Sequence, residues 1–283
     1  MSFEPEAIRA FEHAGWQRSA AGYGDSFAHA TAPFIRPLLD AAEFFLGEQV
    51  LDVACGPGQL AAAAAARGAI AHGLDFSAAM VDVARNTHPE IVVTEGDAED
   101  LPYPDNMFHA AISGFGIHHV PRPQVALAEC RRVLKPGARV AFTVWATPDE
   151  NIAWSLVFDA VARHGNRSAT DAPPSGALNR PELCLRVLEA AEFTDCSAEL
   201  VRAEWLLPSA KGLVAALSAG TVRMAALIAA QEPAALPAII NHIAGQAERF
   251  RRNGHLAIPI AAVLARGRKS TDGGNEDVRK PNC

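Results

Sequence analysis

Four short segments in the first 115 residues bring glycines and carboxylates into a repeating relationship with apolar runs. They are Asp52-Val53-Ala54-Cys55-Gly56-Pro57-Gly58, then Asp75 closing Ala71-His72-Gly73-Leu74, then Gly96-Asp97-Ala98-Glu99, then Ser113-Gly114-Phe115. Gly56 and Gly58 let the backbone turn tightly and let a ligand approach without meeting a Cβ. A carboxylate at the position of Asp75 can accept both hydroxyls of a ribose, and one at Asp97 can face the edge of a base. By itself the glycine loop reads equally well as a plain strand-to-helix turn. Four successive strand ends carrying glycine, acid or both point instead to a nucleotide-like cofactor, because ligands of open parallel sheets bind beyond the carboxyl ends of the strands.

Charge separates two cofactor classes. Gly56-Pro57-Gly58-Gln59-Leu60-Ala61 matches the G-x-G-x-x-[G/A] form of dinucleotide sites, and Asp75 lies near the expected distance for its acid. A dinucleotide would bring a pyrophosphate next to Asp52, with no Lys or Arg until Arg67. Like charges repel strongly in a weakly screened cleft. A donor with an ammonium and a sulfonium is attracted by the same carboxylate, which makes S-adenosylmethionine the better fit.

The elements that must position these residues follow from periodicity and punctuation. Ala7–Trp16 and Pro33–Phe45 have helical spacing, separated by a glycine-rich break over Ala20–Phe27 that is expected to be mobile. Gln49–Val53, Ile70–Leu74, Ile91–Glu95, His109–Ser113 and Ala138–Trp145 read as strands. Between them lie helices from Gln59 through the alanine run to Gly68, from the Ser77 cap to about Asn86, and over Pro123–Leu134, closed by Lys135-Pro136-Gly137. This alternation predicts an α/β, doubly wound and mostly parallel sheet. Asn151–His164 and Pro181–Ala191 follow as helices around an APPSGAL loop of disordered character. Ser197–Leu207 and His255–Arg266 are late strands, paired antiparallel, enclosing a helical cap insertion at about 209–252. The organisation expected is one domain: N-terminal helices and lid at 1–48, a core at 49–268 containing the cap, and a disordered tail at 269–283.

Composition narrows the rest. The 283 residues are 49% hydrophobic and 20% charged, with 25 Lys plus Arg against 32 Asp plus Glu, a formal charge of −7. That balance argues against a general nucleic-acid binder. Five scattered cysteines (Cys55, Cys130, Cys184, Cys196, Cys283) without a C-x-x-C pair read as free thiols. The N-terminus has no secretory pattern and no apolar run suffices for a membrane span, so a cytoplasmic protein without a membrane partner is expected.

The runs VLDVACGPG, GLDFSAAM, GDAEDLPYPDNMFHAAIS and LAECRRVLKPGARVAFTVW together resemble class I S-adenosylmethionine-dependent methyltransferases, nearest to the small-molecule, ubiquinone/menaquinone-biosynthesis group. The resemblance covers about residues 20–145. It implies a Rossmann-like, seven-stranded sheet with a reversed final strand, which agrees with the late strand pair. It implies that Asp52 and the backbone of Ala54 to Gly58, including Gly56, hold the methionine part. Asp75 would bind the ribose, Phe76 and Met80 would flank the adenine, Asp97 and Ala98 would read its amino edge, and Ser113 would flank the amino-acid end. Tyr23, with Phe27 and Thr31, would form the lid. Ala54 departs from the pattern, since many relatives have glycine there; alanine is tolerated if its φ is negative.

Methyl transfer needs mainly alignment and exclusion of water. His118 and His119, following the fourth strand, are the candidates for an optional general base, against a structural role for one of them at a helix start. His72 and His109 read as buried and satisfied, and Glu99-Asp100 and Asp149-Glu150 as solvated turns. No metal set is expected. Trp205, Met224, Leu227, Ile228, Ile239, Ile240, Ile243 and Phe250 in and beside the cap read first as core stripes and second as a pocket wall. The arginines there, Arg223, Arg249, Arg251 and Arg252, read equally as anion ligands or exposed faces. The acceptor expected is a small, largely apolar molecule; a homodimer is compatible with this reading. The competing functions are an NAD(P)-dependent oxidoreductase using the same loop and a non-catalytic cofactor-binding partner protein.

Overall fold

The computed structural model describes residues 4–173 and 178–271. Most of the tail, including Cys283, and residues 174–177 of the APPSGAL loop lie outside them. Alternating side chains build a sheet covered on both faces. In β1 (Gln49–Val53), Val50 belongs to one apolar cluster while Leu51 and Val53 belong to another. In β4 (Phe108–Gly114), Ala110 and Ile112 face the first while Ala111 faces the second, the register being broken by a bulge before Ala110. This is the period-two signature of a strand buried on both sides.

With β2 (Ile70–Asp75), β3 (Val92–Glu95), β5 (Leu134–Trp145), β6 (Thr194–Leu207), β7 (Arg251–Arg252) and β8 (His255–Arg268), the sheet has the order β3-β2-β1-β4-β5-β8-β6. The pairs among β3, β2, β1, β4 and β5 are parallel, and β8 runs antiparallel to both β5 and β6. The reversed strand predicted from the late pair is therefore present, inserted between its neighbours. Two-residue β7, which pairs with the start of β8, is an eighth strand where the sequence suggested continuing helix.

The helices are α1 (Pro5–Tyr23), α2 (Ala28–Thr31), α3 (Ile35–Ala42), α4 (Gln59–Ala66), α5 (Ala78–Thr87), α6 (Pro123–Val133), α7 (Ile152–His164), α8 (Pro181–Ala190), α9 (Ala210–Gly220), α10 (Arg223–Ala229) and α11 (Leu236–Ala247). Local chemistry sets their ends. The Ser77 hydroxyl accepts from the Met80 N–H at 3.3 Å, and the Ser209 hydroxyl accepts from the Gly212 N–H at 3.1 Å. Gly68 ends the alanine helix in the left-handed conformation, φ 89°.

Three expectations are corrected. Helix α1 continues through Tyr23, so the break shrinks to a turn around Gly24–Phe27; Gly22 packs near Ala219. Helix α6 passes into β5 at Leu134 without a separate loop at Lys135-Pro136-Gly137. The tail is anchored at its start: Lys269 exchanges backbone hydrogen bonds with Gly137 and Ala138, and its Nζ donates to Leu134 O at 2.7 Å.

The cap helices α9, α10 and α11 lie between β6 and β8 in the chain. Their apolar residues Leu213, Met224, Leu227, Ile239 and Ile243 join Trp205, Ile258 and the α7 residues Val157 and Val161 in one buried cluster. The core reading of the apolar stripe is the one observed. Arg251 and Arg252 pair with Glu248 and Glu204, and Arg249 lies over the Phe250 ring. Cys55, Cys130 and Cys184 are buried free thiols, and Cys196 is a partly buried one.

Candidate active site

The carboxyl ends of β1, β2, β3 and β4 open into one cavity, roofed on one side by α1. Asp52, Ala54, Gly56, Asp75, Phe76, Met80, Asp97, Ala98, Tyr23 and His119 all line it. Gly58, Ser113 and His118 do not. Gly58 is the left-handed first cap of α4 and faces Ile91 and Ala84. The Ser113 hydroxyl and His118 Nδ1 are buried with no hydrogen-bond partner among the described residues. His118 is pushed well below the usual histidine range, first by burial, then by His119 and Arg223. Adjacent residues of the short 3₁₀ turn Ile117–His119 cannot share an orientation, and only the second histidine reaches the cavity.

Asp52 is 1% exposed, and neither carboxylate oxygen has a hydrogen-bond partner among the described residues. Burial pushes its pKa well up, the Ala61 backbone opposes this, and the Asp75 charge adds to the rise. Asp75 is tied into the loop: Gly56 N–H donates to its Oδ2 at 2.8 Å and Ser77 N–H to its Oδ1 at 2.9 Å. Burial still raises it to about 6, against those two bonds. Ala54 has φ 55°, not the negative value expected. A Cβ on Gly116 would lie 2.6 Å from the Ala54 Cβ and 2.8 Å from Ser113 Oγ, so the loop after β4 sits directly on the strained turn after β1.

The sequence missed what α1 contributes. Arg9 pairs with Asp97 and donates to Glu99 Oε2 at 2.9 Å. Glu99 is buried rather than solvated; it also accepts from Arg122 N–H at 2.8 Å and Nε at 2.7 Å. Gln17 Oε1 accepts from Ser77 Oγ and Ala79 N–H, both at 2.8 Å. Glu12 meets His119 Nδ1 at 2.9 Å. Residues 9, 12 and 16 recur at three- and four-residue spacing, the one signal that places them on a common helix face. Trp16 meets the His119 ring edge-on at 5.0 Å and Tyr23 at 6.2 Å. Burial pushes the Tyr23 hydroxyl up to about 12. Thr31 lines the cavity, whereas Phe27 is packed among Trp145, Trp154 and Trp205. His109 is satisfied, by Gln49 N–H at 3.1 Å and Lys135 Nζ at 2.8 Å. Glu150 of the second acidic turn pairs with Arg202.

Among the described residues, no cap residue lines the cavity, no group of acids, histidines and cysteines is placed to hold a metal, and no single helix is long and apolar enough to cross a membrane.

Residues 51–142 match the methyltransferase domain family. A demethylmenaquinone methyltransferase of Paenarthrobacter aurescens is 37% identical over 113 residues, covering 40% of this chain and 45% of that protein. A 2-phytyl-1,4-naphtoquinone methyltransferase of Synechococcus elongatus is 42% identical over 105 residues, covering 34% and 45%. The chain thus spans under half the length of these curated relatives. Among solved structures, the YcgJ protein of Bacillus subtilis aligns with a TM-score of 0.57 at 19% identity, covering 84% of this chain and 99% of that one. The Haemonchus contortus phospholethanolamine N-methyltransferase 2, solved with phosphomonomethylethanolamine and S-adenosylhomocysteine, aligns with a TM-score of 0.52 at 17% identity, over 84% and 53%. Sheet order, the glycine loop at the first strand end and the matched residues define a class I S-adenosylmethionine-dependent methyltransferase domain. Over the matched residues its sequence is similar to those of the menaquinone- and phylloquinone-type methyltransferases above.

Proposed function

We propose that this protein transfers a methyl group from S-adenosylmethionine to a small, largely apolar acceptor of the quinone type. The observation that carries the reading is Asp52: two buried carboxylate oxygens without partners fit a cationic ligand, since a buried charge is tolerable only when paired. A pyrophosphate fits poorly, because the arginine lining the cavity, Arg9, is already neutralised by Asp97 and Glu99. The cofactor supplies an activated methyl carbon on a sulfonium.

The chain's own residues do the rest. Asp52 and the backbone from Ala54 to Pro57 hold the amino-acid end, and Asp75 receives the ribose hydroxyls while keeping the loop closed through Gly56. Asp97 and Ala98 face the base edge, with Phe76 and Met80 on its apolar sides. Trp16, Tyr23, Phe34 and Phe115 line the remaining wall and exclude water. The greasy wall and the quinone methyltransferase relatives support an apolar acceptor.

Thermal unfolding with S-adenosylhomocysteine and with NADH tests the assignment. A ligand at 100 times its Kd stabilises the folded state by about 2.7 kcal/mol. A rise in Tm with S-adenosylhomocysteine and none with NADH is expected; the reverse pattern, or no rise with either, overturns it. Mass spectrometry of cell extract incubated with labelled donor then identifies the acceptor.

A further inference from the structure

Glu12 is a carboxylate with no exposed surface, on a helix whose other charged side chains reach solvent. Both oxygens are engaged from different elements: Oε2 faces His119 Nδ1 at 2.9 Å, and Oε1 accepts from Arg223 Nε of α10 at 2.7 Å. Burial acts to raise its pKa, but His119 and Arg223 more than reverse this and hold it below the usual carboxylate range. An ionised carboxylate only accepts hydrogen bonds. It therefore fixes the neutral imidazole with its proton on Nδ1 and its lone pair on Nε2. Nε2 has no hydrogen-bond partner among the described residues, and His119 lines the cavity beside Trp16 and Tyr23.

We infer that His119 Nε2 is the general base for the methyl acceptor, that Glu12 is its positioning residue, and that the acceptor carries an ionisable hydroxyl on an aromatic ring. This rests on the methyl-transfer reading above. The acceptor's O–H bond breaks and its proton passes to Nε2. The electron pair freed on the acceptor forms the new bond to the methyl carbon while the C–S bond breaks, its electrons remaining on sulfur. The imidazolium formed faces the Glu12 carboxylate, so the buried pair passes from a net negative charge to a neutral ion pair. Arg223 holds Glu12 from the cap side, and the edges of Trp16 and Tyr23 suit a flat ring.

Two measurements test it without turnover. Nitrogen-15 spectra of histidine-labelled protein above neutral pH should show His119 with a protonated Nδ1 and an unprotonated Nε2. Glu12→Ala, which removes the acceptor facing Nδ1, should lose this tautomer. Protein saturated with S-adenosylhomocysteine should bind 4-nitrophenol as the phenolate, raising the ratio of ionised to neutral phenol about tenfold, the effect of one favourable charge nearby. His119→Asn should abolish that rise while calorimetry gives unchanged S-adenosylhomocysteine affinity. A proton on Nε2 in the parent protein, or nitrophenol that is not bound or stays protonated, overturns the inference. Failure of S-adenosylhomocysteine to bind the parent protein would instead overturn the methyl-transfer reading, and the tautomer result would still decide the role of Glu12.

Discussion

Replacing Asp75 by asparagine isolates the energetic consequence of holding acids at the strand tips. In the folded chain Asp75 is 5% exposed and titrates at about 6, while its ordinary value is 3.8. Because the folded value is the higher one, the favourable contribution is fully present below about pH 3.8 and is lost as pH rises through about 6. The difference of roughly 2.2 units, at 1.36 kcal/mol each, is about 3 kcal/mol. Asparagine has no such titration but offers one acceptor where the carboxylate serves both Gly56 and Ser77, a pH-independent loss of about 1–3 kcal/mol. The parent should therefore be the more stable of the two near pH 4, and its advantage should shrink by about 2.4 kcal/mol by pH 7, nearly vanishing or reversing. Relief of Asp52, whose rise is partly due to Asp75, acts in the same direction. Urea unfolding of both proteins across this range gives the difference directly. A difference that stays flat, or grows with pH, would refute the claim that burial dominates this carboxylate.

Two further outcomes follow from the same geometry. Ala54→Gly removes a side chain from a left-handed backbone, worth about 1–2 kcal/mol, against about 0.4–1 kcal/mol of added chain entropy in the unfolded state. Calorimetry should show a Tm higher by about 1–3 °C; a lower Tm would mean that the Ala54 methyl packing on Gly116 outweighs the strain. Arg9→Ala removes both charge-assisted links from α1 to the rim at Asp97 and Glu99. Amide exchange over Pro5–Tyr23 should then accelerate about tenfold, for a loss near 1.4 kcal/mol, and exchange unchanged from the parent would show that Gln17 and Glu12 hold the helix unaided.

The parts of this fold that are written locally were legible. Apolar runs with glycine or acid at their ends gave the five parallel strands, and Ser77 and Gly68 gave helix boundaries, because each depends on a few neighbouring residues. The acids of the rim were legible for the same reason. The contributions of α1 were not: Arg9 meets Asp97 and Glu99 across some ninety residues, and nothing near Glu99 announces that its charge is matched from elsewhere. Nor does sequence distinguish His118 from His119, since which neighbour in a tight turn faces the cavity depends on how the whole loop docks. An amphipathic cap reads alike whether its apolar face meets a ligand or a protein core, and here Trp205 and the α7 side chains occupy it.

The roots of the cap carry a consequence of their own. Leu207, where the chain leaves the sheet, is the register partner of Leu256, close to where it returns. The two exits are thus stitched together by the ladder itself, and the helices between them hang from a closed seam. Such a segment can be exchanged for another of different length with little disturbance to the strands beneath. The cap can therefore vary without moving the strands whose tips form the cleft.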